Sequence, residues 1–207
     1  MIKVKICGIT NLEDAQAAID AGADALGFVF YKKSPRYINP KIAQTIIQKL
    51  PNHITKIGVF VNAKEKEIKK IARLCKLDML QFHGSESPQF CGKFNNYKII
   101  KVFRIKDSIN FKNIVKYNTF AYLFDTYVLS KIGGTGKKFN WGLIRNISSL
   151  GKPLFLSGGL TEKNVQTAIK IARPAWLDVS SSVENKPGVK NKEKIKSFIA
   201  AVKNKQR

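Results

Sequence analysis

Eight short apolar runs rich in β-branched residues recur along the chain: Val4 to Ile9, Ala25 to Phe30, Lys56 to Val61, Met79 to His83, Ile99 to Phe103, Tyr122 to Asp125, Leu154 to Ser157 and Trp176 to Ser180. Each is followed by a stretch with helical periodicity. Their spacing of roughly 20 to 32 residues suits a strand, a loop and a crossover helix, and repeated units of that kind build a parallel sheet with right-handed crossovers. Eight units can form an open doubly wound sheet or a closed barrel. Closure consumes all eight strands and ends the chain after its final helix, so the expectation is a (β/α)8 TIM barrel, an α/β fold, with residues 1–207 as a single compact domain.

Helix punctuation supports the alternation. Thr10 and Glu13 have capping-box spacing ahead of Ala15, Ala18 and Ile19, and Gly22 stops that helix. Pro40 suits a first helical turn before Ile42, Ile46 and Ile47. Glu162 to Ala172 and Asn191 to Ala201 supply the last two helices, while Ser87 to Phe94 predicts a short fourth one.

Composition narrows the class. With 44% hydrophobic residues in 207, the chain can bury the core of one domain. Met1 leads directly into Ile2-Lys3-Val4-Lys5-Ile6-Cys7, which lacks a signal peptide's long apolar region, and no later run is long enough to span a bilayer. A cytoplasmic protein without membrane association is expected. Cys7, Cys75 and Cys91 are an odd set at wide spacings with only two histidines beside them, which points to neither a disulfide scaffold nor a bound metal. Cys75 and Cys91 read as small buried hydrophobes.

A net charge of +23 raises the possibility of a basic nucleic-acid-binding protein. The distribution argues against it: 31 of the 37 basic residues are Lys and only 6 are Arg, scattered over nearly every predicted helix. Base readout favours Arg, and RNA modules carry aromatic motifs that this chain lacks. The charge reads as solvated surface, with no nucleic-acid partner and no signal that specifies an oligomeric state.

In such a barrel the active site lies at the carboxyl ends of the strands. The polar residues there are Cys7 after the first run, Arg36 in the loop after the second, His83 after the fourth, Arg104 following the fifth, Asp125 after the sixth, Ser157-Gly158-Gly159 after the seventh and Asp178 to Ser182 after the eighth. Loops after the seventh and eighth strands often hold phosphate in this architecture, because backbone N–H donors and a helix N-terminus stabilise a dianion. Gly158, Gly159, Ser180 and Ser181 are therefore candidate phosphate-binding residues. Gly133-Gly134-Thr135-Gly136-Lys137 lacks the full spacing of a nucleotide phosphate loop and reads instead as a loop that closes over substrate. Lys5 shares the strand parity of Cys7, so it points into the barrel and needs a carboxylate partner.

Lys5-Ile6-Cys7-Gly8-Ile9-Thr10, Ser34-Pro35-Arg36, Gln81-Phe82-His83-Gly84, Gly133 to Gly136, Ser157-Gly158-Gly159-Leu160 and Asp178-Val179-Ser180-Ser181 together resemble the ordered motifs of the phosphoribosylanthranilate isomerase family, over essentially the whole chain. The resemblance implies an Amadori rearrangement in tryptophan biosynthesis, in which N-(5'-phosphoribosyl)anthranilate becomes 1-(2-carboxyphenylamino)-1-deoxyribulose 5-phosphate without a cofactor. It assigns Asp125 as the general acid that protonates the furanose oxygen and Cys7 as the general base that takes the C2' proton. It gives Arg36 to the anthranilate carboxylate; His83 and Asp178, at strand ends, are kept beside it as substrate-pocket residues. The chemistry suits the groups: a carboxyl with a raised pKa can deliver a proton, and a thiolate is a soft base.

Three positions depart from the family pattern: Ser182 where Gly is typical, and Asn140 and Asn191 where Asp is usual. Ser182 brings the conformation of the last phosphate loop into question. The competing readings are another sugar-phosphate barrel enzyme, which needs a different acid and base, and the noncatalytic nucleic-acid-binding protein.

Overall fold

A computed structural model describes residues 1–126, 140–145 and 147–203. Its eight parallel strands close in sequence order into a barrel: β1 (Lys3–Cys7), β2 (Ala25–Val29), β3 (Thr55–Phe60), β4 (Met79–Phe82), β5 (Lys98–Ile105), β6 (Ala121–Thr126), β7 (Leu154–Leu156) and β8 (Trp176–Val179). Around them lie α1 (Leu12–Asp20), α2 (Pro40–Ile47), α3 (Glu65–Leu74), α4 (Pro88–Gly92), α5 (Phe111–Ile114), α6 (Val165–Ala172) and α7 (Lys192–Lys203). Between β6 and β7 the described residues form two 3-10 turns, Trp141–Ile144 and Ile147–Leu150. A small antiparallel hairpin, β9 (Glu184–Lys186) and β10 (Val189–Lys190), follows β8. Gly133 to Lys137 lies outside the described residues.

Strand register decides what the barrel encloses. Lys5 sits opposite Ala25 and Asp178, Val59 opposite Gln81, Arg104 opposite Asp125, and Phe155 opposite Trp176. In parallel neighbours, residues in register project to the same face, so alternate residues of every strand turn inward. At the lower levels those residues form an apolar plug of Ala25, Ile57, Met79, Ile100, Val102, Ala121, Leu123, Phe155 and Trp176. Phe155 and Trp176 stack there with centroids 4.9 Å apart. At the C-terminal level the same parity delivers Cys7, Gln81, Asp125 and Asp178. The opposite faces of the strands pack against the helices in a second, larger core, where Cys75 and Cys91 are buried. Burial pushes both thiols up to about 11, as expected of packing residues.

Several local expectations need correction. The first helix is capped by Asn11, whose Oδ1 accepts from the N–H of Asp14 at 2.8 Å, not by a Thr10–Glu13 box. Thr10 instead donates its hydroxyl to the Gly188 carbonyl at 2.6 Å, and the exposed Glu13 pairs with Lys192. Long-range partners thus claimed both residues of the predicted box. β5 extends through Ile105, so Arg104 lies within the strand and not after it. α6 begins at Val165, later than Glu162, because Asn164 accepts from Thr161 N–H and donates to the Gly159 carbonyl, which holds the intervening residues in a turn. α7 runs from Lys192 to Lys203, one residue inside its predicted start and past its predicted end.

The three departures are accommodated. Asn140 caps its 3-10 turn by accepting from Gly142 N–H at 2.9 Å, and Asn191 accepts from Lys194 N–H at 2.9 Å at the start of α7. An amide oxygen caps as well as a carboxylate. Ser182 lies in a 3-10 turn, Ser181–Val183, and is not among the residues with positive φ, so the loop needs no glycine conformation there.

Candidate active site

Lys5 forms the floor of the site. Its side chain is fully buried, and its Nζ lies 3.0 Å from both carboxylate oxygens of Asp178 and 2.7 Å from Gln81 Oε1. Burial opposes the charge, but Asp178 and Cys7 outweigh it, so the Lys5 pKa is raised. This is the carboxylate partner that strand parity demanded. Removing either member of such a pair costs about 3–5 kcal/mol, because the remaining charge is left buried alone.

Cys7 stands one inward position above Lys5. Burial pushes its thiol up and Asp178 adds to that, while Lys5 and Lys190 pull the other way and Lys5 also hydrogen-bonds the sulfur. The two ammonium groups reduce the cost of forming a thiolate in a site that otherwise disfavours it. Gly27, opposite Cys7 in β2, is what allows this approach: a Cβ there would lie 2.7 Å from the sulfur and 2.9 Å from Lys5 Cε.

Asp125 is buried at the end of β6, with Oδ1 accepting from Thr126 N–H at 2.8 Å and Oδ2 lying 3.4 Å from His83 Nε2. His83 Nδ1 is 3.2 Å from Gln81 Nε2. Cys7, His83, Asp125 and Asp178 therefore face one cleft, together with Arg36, Gln81 and an apolar wall of Val29, Tyr31, Val59 and Val61.

A second, Ser/Gly-rich pocket adjoins the first. It is lined by Gly158, Gly159, Ser180, Ser181 and Ser182, and it shares Asp125, Ser157, Asp178 and Ser180 with the main cleft. Gly158 and Gly159 have φ of 87° and 66°, which only glycine adopts without strain. Ser182 Oγ is buried without a hydrogen-bond partner among the described residues. The four predicted phosphate residues are thus together on one side of the mouth.

Arg36 reaches the cleft by a route that sequence reasoning missed. Its Nε and Nη2 donate to the two oxygens of Glu184 at 2.9 and 2.7 Å, and Lys190 donates to Glu184 Oε1 at 2.8 Å and to the Cys7 carbonyl. Burial works against the charge on Glu184, yet Arg36 and Lys190 outweigh it and hold the carboxyl below its usual range. Burial lowers the Lys190 pKa despite Glu184. The β9–β10 hairpin therefore supplies an acid that orients Arg36 and a cation beside Cys7. Nothing in the local sequence of Glu184 or Lys190 distinguishes them from surface charges. Gln81 was also given no role, although its parity with His83 was a usable signal.

Comparison with known proteins identifies the family and the fold. Residues 4–201 match the family model described as N-(5'-phosphoribosyl)anthranilate (PRA) isomerase. The N-(5'-phosphoribosyl)anthranilate isomerase of Geotalea uraniireducens (strain Rf4) is 48% identical over 203 residues, covering 98% of this chain and 99% of its own length. The phosphoribosyl anthranilate isomerase of Thermotoga maritima has a crystal structure with a TM-score of 0.93 at 42% identity, covering 99% of this chain and 100% of that one. A crystal structure of phosphoribosyl anthranilate isomerase in complex with reduced 1-(o-carboxyphenylamino)-1-deoxyribulose 5-phosphate has a TM-score of 0.89 at 40% identity, with 99% and 100% of the two chains covered.

Proposed function

Since the chain belongs to the N-(5'-phosphoribosyl)anthranilate isomerase family, we propose that its barrel mouth carries out this aldose–ketose isomerisation of tryptophan biosynthesis with Asp125 as general acid and Cys7 as general base. The protonated Asp125 carboxyl gives its proton to the furanose oxygen. The ring opens as the C1'–O bond breaks, leaving a protonated Schiff base. Cys7 as thiolate then removes the C2' proton, the electron pair moves to give an enol amine, and tautomerisation delivers the ketone. Lys5 and Lys190 offset part of the cost of burying the thiolate charge, and the thiol pKa stays raised.

The adjoining Ser/Gly pocket, with Gly158, Gly159, Ser180 and Ser181, takes the phosphate, and Ser182 adds a hydroxyl to it. Arg36 takes the carboxylate, and Val29, Tyr31, Val59 and Val61 cover the anthranilate ring. His83 and Asp178 complete the pocket between them. The observation that carries this reading is the continuity of the two pockets through Asp125 and Asp178, which joins a Ser/Gly-lined polar pocket to a cleft with an apolar wall, both lined by the acid. Residues 1–207 act as one isomerase domain, and cytoplasmic action fits a chain whose described residues include no helix long and apolar enough to cross a membrane.

Turnover is the test. Anthranilate fluorescence is expected to fall in proportion to added protein when N-(5'-phosphoribosyl)anthranilate is supplied. A decay no faster than the uncatalysed one would overturn the assignment.

A further inference from the structure

We propose that Gln81 is a positioning residue that fixes the tautomer of His83 and so keeps the imidazole a hydrogen-bond donor toward Asp125. The inference rests on the reading of Asp125 as the general acid. Gln81 is almost fully buried on the inward face of β4, where a polar side chain costs free energy unless its groups are paired. Its partners determine what those groups do.

The orientation of the amide follows from Lys5. An ammonium has donors only, so the atom of Gln81 lying 2.7 Å from Lys5 Nζ must be the carbonyl oxygen. The reverse orientation would set an NH2 group against a buried NH3+ that Asp178 holds in its charged form. The Gln81 NH2 therefore faces His83 Nδ1 at 3.2 Å and donates to it. A ring nitrogen that accepts has no proton, so neutral His83 carries its hydrogen on Nε2. That nitrogen faces Asp125 Oδ2 at 3.4 Å. Nε2 makes no hydrogen bond among the described residues, and catalytic hydrogen bonds often align only when substrate is bound.

The consequence concerns where the acid's proton goes. An imidazole with a bare Nε2 would accept the proton of Asp125 and compete with the substrate for it. With Nε2–H facing the carboxyl, His83 cannot take that proton, and it donates to the carboxylate left after transfer. Thr126 N–H already serves the other oxygen. The same Lys5 that borders Cys7 thus sets, through Gln81 and His83, the hydrogen-bond direction at Asp125, so base and acid are linked across the barrel by one polar chain.

The experiment is nitrogen-15 NMR of the imidazole by long-range proton–nitrogen correlation, at a pH where the ring is neutral. The chain has two histidines, and replacing the exposed His53 by Asn leaves His83 as the sole signal. The expected result is a protonated Nε2 and an unprotonated Nδ1. A proton on Nδ1 overturns the proposal, whatever the variants do.

Gln81→Glu keeps an acceptor for Lys5 but presents a second acceptor to Nδ1. It is expected to move a proton to Nδ1 and lower kcat by about 10-fold or more, with KM changed less than about 2-fold. In a His83→Asn background the same substitution is expected to cost little more, because Gln81 acts through His83. Losses that simply multiply would mean that Gln81 acts independently of His83, and would overturn its role. The two readings fail separately. Full kcat in Asp125→Asn would overturn the acid assignment with the tautomer intact. An Nδ1 proton in an enzyme that Asp125→Asn inactivates would overturn the role of Gln81 alone.

Discussion

Glu184 takes Nε and one terminal nitrogen of Arg36 in a two-pronged ion pair, so the guanidinium plane is set before any substrate arrives. Binding then costs less side-chain entropy than it would for an arginine free in solvent. Arg36→Met is predicted to raise KM by about 10-fold or more with kcat less affected, because the carboxylate contact proposed for Arg36 would be made equally in ground and transition states. Steady-state kinetics over a range of substrate concentrations measures the split, and an unchanged KM would reduce Arg36 to a loop residue that pairs with Glu184. Arg36 was legible from Ser34-Pro35-Arg36 in its motif. Glu184 was not, since the two are 148 residues apart and meet only because the β9–β10 hairpin folds back over the barrel mouth. The placement of Cys7, His83, Asp125 and Asp178 at the strand ends was legible for a different reason, because each closes or follows a short apolar run, whereas the proposed roles of Cys7 and Asp125 came from the family resemblance alone.

At the scale of elements, the loop after β7 leaves no room for a side chain at Gly158. A Cβ on Gly158 would lie 2.7 Å from Thr126 N and 2.9 Å from Asp125 Oδ1, at a φ that L residues rarely adopt. Gly158→Ala is therefore predicted to lower kcat, because it pushes the acid from its place, and to destabilise the fold by roughly 1–3 kcal/mol. Urea denaturation with parallel kinetics checks both; wild-type kcat and stability would mean that the loop relaxes freely. The eight strands were readable from the sequence because each is a short, nearly continuous apolar run that needs no distant partner to be recognised. Helix starts were less so. The Thr10–Glu13 pattern lost to Asn11, because Gly188 and Lys192 engaged the two residues of the box. The late start of α6 depends likewise on Asn164 reaching back to Gly159. Caps are settled by who else is within reach, which a local pattern does not encode.

For the whole molecule, the net charge of +23 acts at longer range than any of these contacts. A substrate bearing a phosphate and a carboxylate is drawn toward such a surface before it docks. Raising ionic strength from about 0.01 M to about 0.15 M shortens the screening length from roughly 30 to roughly 8 Å. It is predicted to lower kcat/KM while leaving kcat unchanged, since the buried chemistry is poorly screened. A salt-independent kcat/KM would show that capture is not steered. The barrel then joins this diffuse field to a few inward residues on β1, β4, β6 and β8, and the central claim is that Cys7 and Asp125 are the base and acid among them. Single-turnover kinetics with enzyme in excess over substrate, comparing Cys7→Ala and Asp125→Asn with the parent chain, tests this most directly. Each variant is predicted to bind substrate with little loss and to convert it about 100-fold more slowly or worse; conversion by either at the parent rate would contradict its assignment.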